Sequence, residues 1–169
     1  MNKQKLINLF YKVQRIPYQV CKYEELKVNE HIGKGDCRHK STLLKALLEK
    51  EGFQTRRIKV IFDWKDLPIK SEILTILKSG TVWDHDSLEV KIDDKWIKVD
   101  STWNPELKEI GFPITETWNG MSNTKQVTEG RLEFFSADCY IRDKSKIKIK
   151  KEEAYKFAET LNKFLKFGK

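Results

Sequence analysis

No apolar run among the 169 residues approaches the roughly 18 that a bilayer-spanning helix needs, so a transmembrane protein is excluded. The opening stretch MNKQKLINLFYKVQ has no continuous apolar segment and no small-residue cleavage site. No secretory signal is read there, and a cytoplasmic location is expected. Cysteine is scarce: Cys21, Cys37 and Cys139 are too few, and odd in number, for a disulfide framework. Three histidines join them, but no pair has the C-x-x-C or H-x-x-x-H spacing of common sites, so no metal and no cofactor is expected. The four prolines and eight glycines are scattered, with no linker, repeat or low-complexity segment. One domain over residues 1–169 is expected. What the chain does hold is 39% apolar residues, including nine Phe, five Trp and five Tyr, enough to build a core.

The net charge of +8 points toward nucleic acid, but its distribution argues against that partner. From Arg142 to Lys169 there are ten basic and four acidic residues, so most of the excess belongs to the C-terminal stretch. A Lys-rich, solvated helix face accounts for it, and no zinc-finger spacing or RNP aromatic motif accompanies it.

Periodicity predicts a helix over 3–13, with Leu6, Ile7, Leu9, Phe10 and Val13 on one broad face, ending before Ile16-Pro17. A second helix is predicted over 38–50 from Leu43, Leu44, Leu47 and Leu48, with Gly52 as the stop. Residues 55–64 alternate and read as a strand, 70–78 as a helix, and 104–135 carry no assignable pattern. Residues 142–169 are read as a basic C-terminal helix, amphipathic over 151–166 with Tyr155, Ala158, Leu161, Phe164 and Leu165.

Residues 85–103 are the most informative. Asp93-Asp94 reads as a two-residue turn, which pairs Val90 with Ile97 and Leu88 with Val99. Leu88, Val90, Ile92, Ile97 and Val99 then share the core face. His85, Ser87, Glu89, Trp96, Lys98 and Asp100 share the other. A one-residue slip would break that pattern, so the apolar residues set the register. Asp100 falls beside Ser87, one same-face step from His85, within reach of a hydrogen bond.

Cys37 follows Gly33-Lys34-Gly35-Asp36 where the second helix begins. Asp36 is a good N-cap. A cysteine in a first helical turn faces the positive end of the dipole, which favours negative charge on sulfur and on an adjacent oxyanion. His85 would act as base and Asp100 would orient it, which completes a nucleophile, base and orienter from three elements. Asp84 and Asp86 compete with Asp100 for that role and otherwise read as solvated.

Gly35-Asp36-Cys37-Arg38-His39-Lys40-Ser41-Thr42-Leu43-Leu44, then Gly52-Phe53, resembles the nucleophile helix of the transglutaminase-like superfamily. His85-Asp86-Ser87-Leu88-Glu89-Val90 resembles its histidine strand, and Lys95-Trp96-Ile97-Lys98-Val99-Asp100-Ser101-Thr102 its closing strand. The order Cys, His, Asp and the separations of 48 and 15 residues fit as well, and the likeness covers residues 13–103. It implies an α+β, papain-like fold in which the nucleophile helix packs on an antiparallel sheet. It also implies a catalytic triad of Cys37, His85 and Asp100, in a small stand-alone member of prokaryotic type. Ser87 departs from the family, where an aromatic is frequent. The β domains and calcium sites of the large cross-linking enzymes are missing too.

Arg15-Ile16-Pro17-Tyr18-Gln19 resembles the segment ahead of the nucleophile. Gln19 is the candidate for a second oxyanion hydrogen bond, as a glutamine is in papain-like sites, with Tyr18 its competitor. Cys21 and Cys139 read as structural, Cys139 as a buried hydrophobe. His31 and His39 read as surface residues. Trp83, Trp96 and Trp103 flank the hairpin either as walls of an acyl groove or as core filling. Two functions follow. One is a cysteine peptidase, amidase or acyltransferase working on a peptide or protein substrate through an acyl-thioester. The other is a non-catalytic protein-binding module of the same fold.

Overall fold

The computed structural model describes residues 2–21 and 28–167. Helix α1 spans Lys3–Gln14 and α2 spans Cys37–Lys50. Strand β1 (Thr55–Asp63) leads through a 3-10 turn, Trp64–Asp66, to the one-turn helix α3 (Ser71–Leu74). Strands β2 (Val82–Ile92) and β3 (Lys95–Val99) form the hairpin, and β4 is Glu133–Ser136. Helix α4, Lys151–Phe167, closes the described chain. No helix among the described residues is long and apolar enough to cross a membrane.

The four strands form one antiparallel sheet in the order β3-β2-β1-β4, so the architecture is α+β. The hairpin register is the one the apolar pattern demanded: Leu88 faces Val99 and Val90 faces Ile97. Asp93 and Asp94 take φ of 45° and 63°, the left-handed pair a tight two-residue hairpin turn requires. Leu88, Val90, Ile92, Ile97 and Val99 are all buried against Leu6, Phe10 and Val13 of α1 and Leu43, Leu44, Leu47 and Leu48 of α2. The other face is also covered. Ile58, Val60 and Phe62 of β1 pair with Ser87, His85 and Trp83, and they pack in a second cluster with Trp64, Trp103 and, from α4, Phe157, Leu161 and Phe164. The hydrophobic core therefore draws on α1 and α4 as well as on residues 13–103.

Three boundaries differ from the sequence reading. The strand predicted to run to residue 64 stops at Asp63, whose carboxylate accepts from the Lys65 N–H at 2.9 Å and turns Trp64 into the core. The helix predicted over 70–78 is α-helical only over Ser71–Leu74. Beyond it the backbone bonds tighten to three-residue spacing, Ile76 to Ile73 and Leu77 to Leu74, and Ile73 and Leu77 both reach the core. The basic stretch becomes helical only at Lys151; residues 142–150 are turns and irregular chain.

The unassigned segment 104–135 holds a 3-10 helix (Pro105–Ile110), irregular chain, and the start of β4. Its irregular part braces the closing strand. Thr124 donates its N–H to the Lys98 carbonyl at 3.0 Å and accepts the Asp100 N–H on its hydroxyl at 2.8 Å. Trp103 Nε1 donates to the Val127 carbonyl at 2.8 Å.

Candidate active site

Cys37 is the first residue of α2 and is partly exposed. The turn before it is held from both sides. Gly35 lies beside Tyr18 in a parallel bridge, its N–H donating to the Pro17 carbonyl and its carbonyl accepting the Gln19 N–H, each at 3.1 Å. A Cβ on Gly35 would stand 2.8 Å from that of His39, so the close approach leaves room for glycine only. The Asp36 carboxylate caps α2 by accepting the Arg38 N–H at 3.0 Å. The Arg38 guanidinium grips the same carboxylate with Nε at 3.1 Å and Nη2 at 2.5 Å. Nη2 also donates to the Cys21 carbonyl at 2.5 Å. His39 is fully buried, contrary to its reading as a surface residue, because the Asp36 N–H donates to its Nδ1 at 3.2 Å and completes the cap.

His85 and Asp100 meet as the register required. Nε2 lies 2.7 Å from Asp100 Oδ2, and both side chains are buried. The other carboxylate oxygen, Oδ1, accepts the Thr102 N–H at 3.0 Å, and the Thr102 hydroxyl lies 3.4 Å from His85 Nε2. The Cys37 side chain and the same imidazole line one cavity and act on each other electrostatically. With Nε2 taken by the carboxylate, Nδ1 is the nitrogen left for the sulfur.

Burial alone would strip the proton from His85. The Asp100 carboxylate and the Cys37 sulfur outweigh it and hold the imidazole well above its ordinary pKa. Burial likewise pushes Asp100 up, but His85 and Thr102 hold it below the usual carboxylate range. Both shifts favour the charged forms, an imidazolium beside a carboxylate. Asp84 and Asp86 do not compete for the imidazole. Asp84 lies 3.8 Å from Arg142 Nη2 and Asp86 is paired with Lys59 Nζ at 2.8 Å, so they are paired and mostly buried instead of solvated.

Cys37 and His85 open onto a cavity of about 820 Å³. Trp83 and Trp103 both line it, Trp103 also packing in the core. Trp96 is outside the cavity lining among the described residues, its ring stacked under the Arg56 guanidinium at 4.3 Å. Tyr18 lines the cavity, its ring tilted on Trp103 at 4.5 Å, whereas Gln19 is not among the described lining residues. Burial, then the neighbouring Cys37 and Asp36, keep the Tyr18 hydroxyl protonated far above its ordinary range. Cys21 also lines the cavity. Cys139, read as buried, is exposed in the turn after the edge strand β4. Ala154, Ala158 and Asn162 of α4 form one wall, and Asn162 locks to the Val20 backbone by two hydrogen bonds of 2.9 Å. From segment 104–135, Val127 alone among the described residues reaches the lining.

Sequence reasoning missed Lys40. Its side chain is wholly buried, and Nζ donates to the carbonyls of Gln14 at 3.0 Å, Ile16 at 2.7 Å and Thr102 at 2.8 Å. A signal was available: Lys40 stands at helical spacing with Leu43, Leu44 and Leu47, on the stripe that otherwise faces the core. Thr124 and Asn162 gave no such signal, since their partners are distant in the chain.

Comparison with protein-family models, with curated proteins and with solved structures brings no match to this chain, and the chemistry of the site rests on its own geometry.

Proposed function

We propose that the chain is a transglutaminase-like cysteine enzyme on a papain-like core, acting on an amide or ester through an acyl-thioester. The observation that carries this reading is the buried His85 imidazole, 2.7 Å from the Asp100 carboxylate and lining the same cavity as Cys37. In the first step His85 takes the thiol proton as the Cys37 sulfur attacks the carbonyl carbon. The C–N or C–O bond breaks and the imidazolium protonates the departing amine or alcohol. In the second step His85 takes a proton from water or from an amine. The new nucleophile displaces the thioester sulfur, releasing an acid or a new amide. The positive end of α2 and the protonated Tyr18 hydroxyl supply the stabilisation of the oxyanion, a role that suits Tyr18 better than Gln19 because Tyr18 lines the cavity.

The cavity is of a size that holds a substantial part of a peptide or protein substrate. Among its charged lining residues Lys59 pairs with Asp86, Arg142 with Asp84 and Arg38 with Asp36, and Glu159 pairs with Lys163 outside the lining, while Trp83 and Trp103 supply flat apolar walls. An uncharged, bulky acyl side chain is the complement of that lining.

The test is labelling with iodoacetamide at neutral pH followed by peptide mapping. Cys37 reacts at least about tenfold faster than Cys21 and Cys139, as a cysteine at a helix start beside a histidine base does. The comparison is demanding because Cys139 is the more exposed thiol. Equal rates at the three positions would sink the catalytic reading and leave a protein-binding module of the same fold.

A further inference from the structure

Beneath the proposed site lies a charged group that the acyl-transfer chemistry does not use. Lys40 is one helical turn after Cys37 in α2, its side chain wholly buried, with three backbone carbonyls around its Nζ. An ammonium has three N–H groups, so the donor set is matched one to one. Burying a lysine without an ion-paired partner opposes folding strongly, and a leucine at this position would continue the stripe of α2. Its three acceptors come from segments that each touch the site.

The first acceptor is Thr102. Its carbonyl binds Lys40, its N–H binds Asp100 Oδ1, and its hydroxyl lies beside His85 Nε2. The other two acceptors are Gln14 and Ile16, which end α1 and lead into Pro17-Tyr18. That is the stretch bridged to Gly35, two residues before Cys37, and Tyr18 lines the cavity. Asn104 adds a parallel tie, accepting the Tyr18 N–H at 2.9 Å and donating to Glu106 at 2.6 Å. One cation thus joins the helix of the nucleophile, the turn of the acid and the segment leading to the oxyanion donor.

We infer that Lys40 is a positioning residue of the triad: a buried ammonium that clamps the Asp100–Thr102 turn and the Ile16–Tyr18 segment onto α2, setting the alignment of His85 with Cys37. The inference rests on the proposed acyl-transfer reading. Its electrostatic sense is consistent. Burial pulls Lys40 down to about 7, and the two carboxylates acting on it, Asp100 and Glu106, pull the other way. The clamp is therefore complete only while the ammonium is protonated. A neutral amine has two donors for three carbonyls.

The experiment compares the wild type with Lys40→Met and Lys40→Arg, following Cys37 alkylation by iodoacetamide across pH 4–9 beside thermal unfolding. In folded Lys40→Met the rate at neutral pH falls by about tenfold or more, as misaligned groups lose catalytic contact. The acid limb of its profile also moves to higher pH, because a site that loses a neighbouring cation holds its protons more tightly. Lys40→Arg, retaining the charge, returns the limb toward its wild-type position. A folded Lys40→Met with an unmoved limb overturns the inference, since a purely structural lysine would change stability and leave the profile in place.

Where Lys40→Met does not fold, the wild type decides. The slowest-exchanging lysine ammonium is followed by nitrogen-15 NMR before and after Cys37 is alkylated. A shift of that signal supports the coupling, and an unmoved signal refutes it. Failure of the underlying catalytic reading is separately visible, as a wild-type Cys37 no more reactive than Cys21 or Cys139.

Discussion

On one face of the β2–β3 hairpin, Leu88, Val90 and Val99 pack on α1 and α2; on the other, His85, Ser87 and Asp100 are nearly as inaccessible to water. The first face is held by non-directional burial, where volume and shape matter. The second is held by directed bonds: His85 to Asp100, Ser87 Oγ to the Val99 carbonyl at 3.2 Å, and the Asp100 N–H to Thr124. Removing an atom from the apolar face leaves a cavity, whereas removing one from the polar face leaves a charge without a partner. Similar burial thus serves the fold on one side and chemistry on the other.

Substitutions on the two faces separate these roles. Asp100→Ala strands a buried imidazolium, and a loss of about 3–5 kcal/mol is expected in urea unfolding, together with a fall in Cys37 alkylation of at least about tenfold. Leu88→Ala on the opposite face loses about 2–4 kcal/mol for the methyl groups and the void. It leaves the alkylation rate of the folded protein within about twofold, since no bond to the triad is touched.

The pH dependence of stability sharpens the same contrast. Asp100 is held low by His85 and Thr102 against the effect of burial, so its contribution is present above the ordinary carboxylate pKa and is lost as pH falls through the depressed value. His85 is held high by Asp100 and Cys37 against the effect of burial. Its contribution is full below about 6.5 and is lost as pH rises through the raised value. Melting temperatures of the wild type therefore decline on both sides of a mildly acidic window. In Asp100→Asn both limbs flatten, while in Leu88→Ala they persist at a lower level. Lys40 contributes with the opposite sign above pH 7: a base depressed to about 7 opposes folding most where it is protonated, and that opposition eases toward the ordinary lysine pKa.

The smallest effect lies at the hairpin tip, remote from both faces. Asp94 has φ of 63° and an exposed side chain 3.0 Å from Lys91. Asp94→Gly relieves the left-handed conformation and gains about 0.5 kcal/mol, read as a higher urea midpoint, because the surface ion pair it removes is worth little.

The hairpin was legible because its information is local. Two alternating runs and an Asp-Asp turn admit one register, and that register already puts His85 beside Asp100. The opening of α2 was legible for the same reason: Asp36 is a cap, Gly35 permits close approach, and the leucines repeat at helical spacing. His39 was misread although its partner is only three residues away, since a histidine at that position of the first turn can serve the cap as a glutamate does. Segment 104–135 was illegible because its order comes from bonds to distant residues, such as Thr124 to Asp100 and Val127 to Trp103.

By itself, then, the amino-acid order determined the two N-terminal helices, the hairpin register and the start of the cysteine-bearing helix, all of which depend on periodicity, caps and turns within a few residues. Tertiary structure alone decided that Asp84 and Asp86 pair with Arg142 and Lys59 and leave His85 to Asp100, that Tyr18 and α4 wall the cavity, and that Lys40 is drawn inside to three carbonyls. Those outcomes depend on which charges and donors arrive from remote segments, and a buried polar group takes whichever partner the packing delivers, because leaving it unpaired opposes folding.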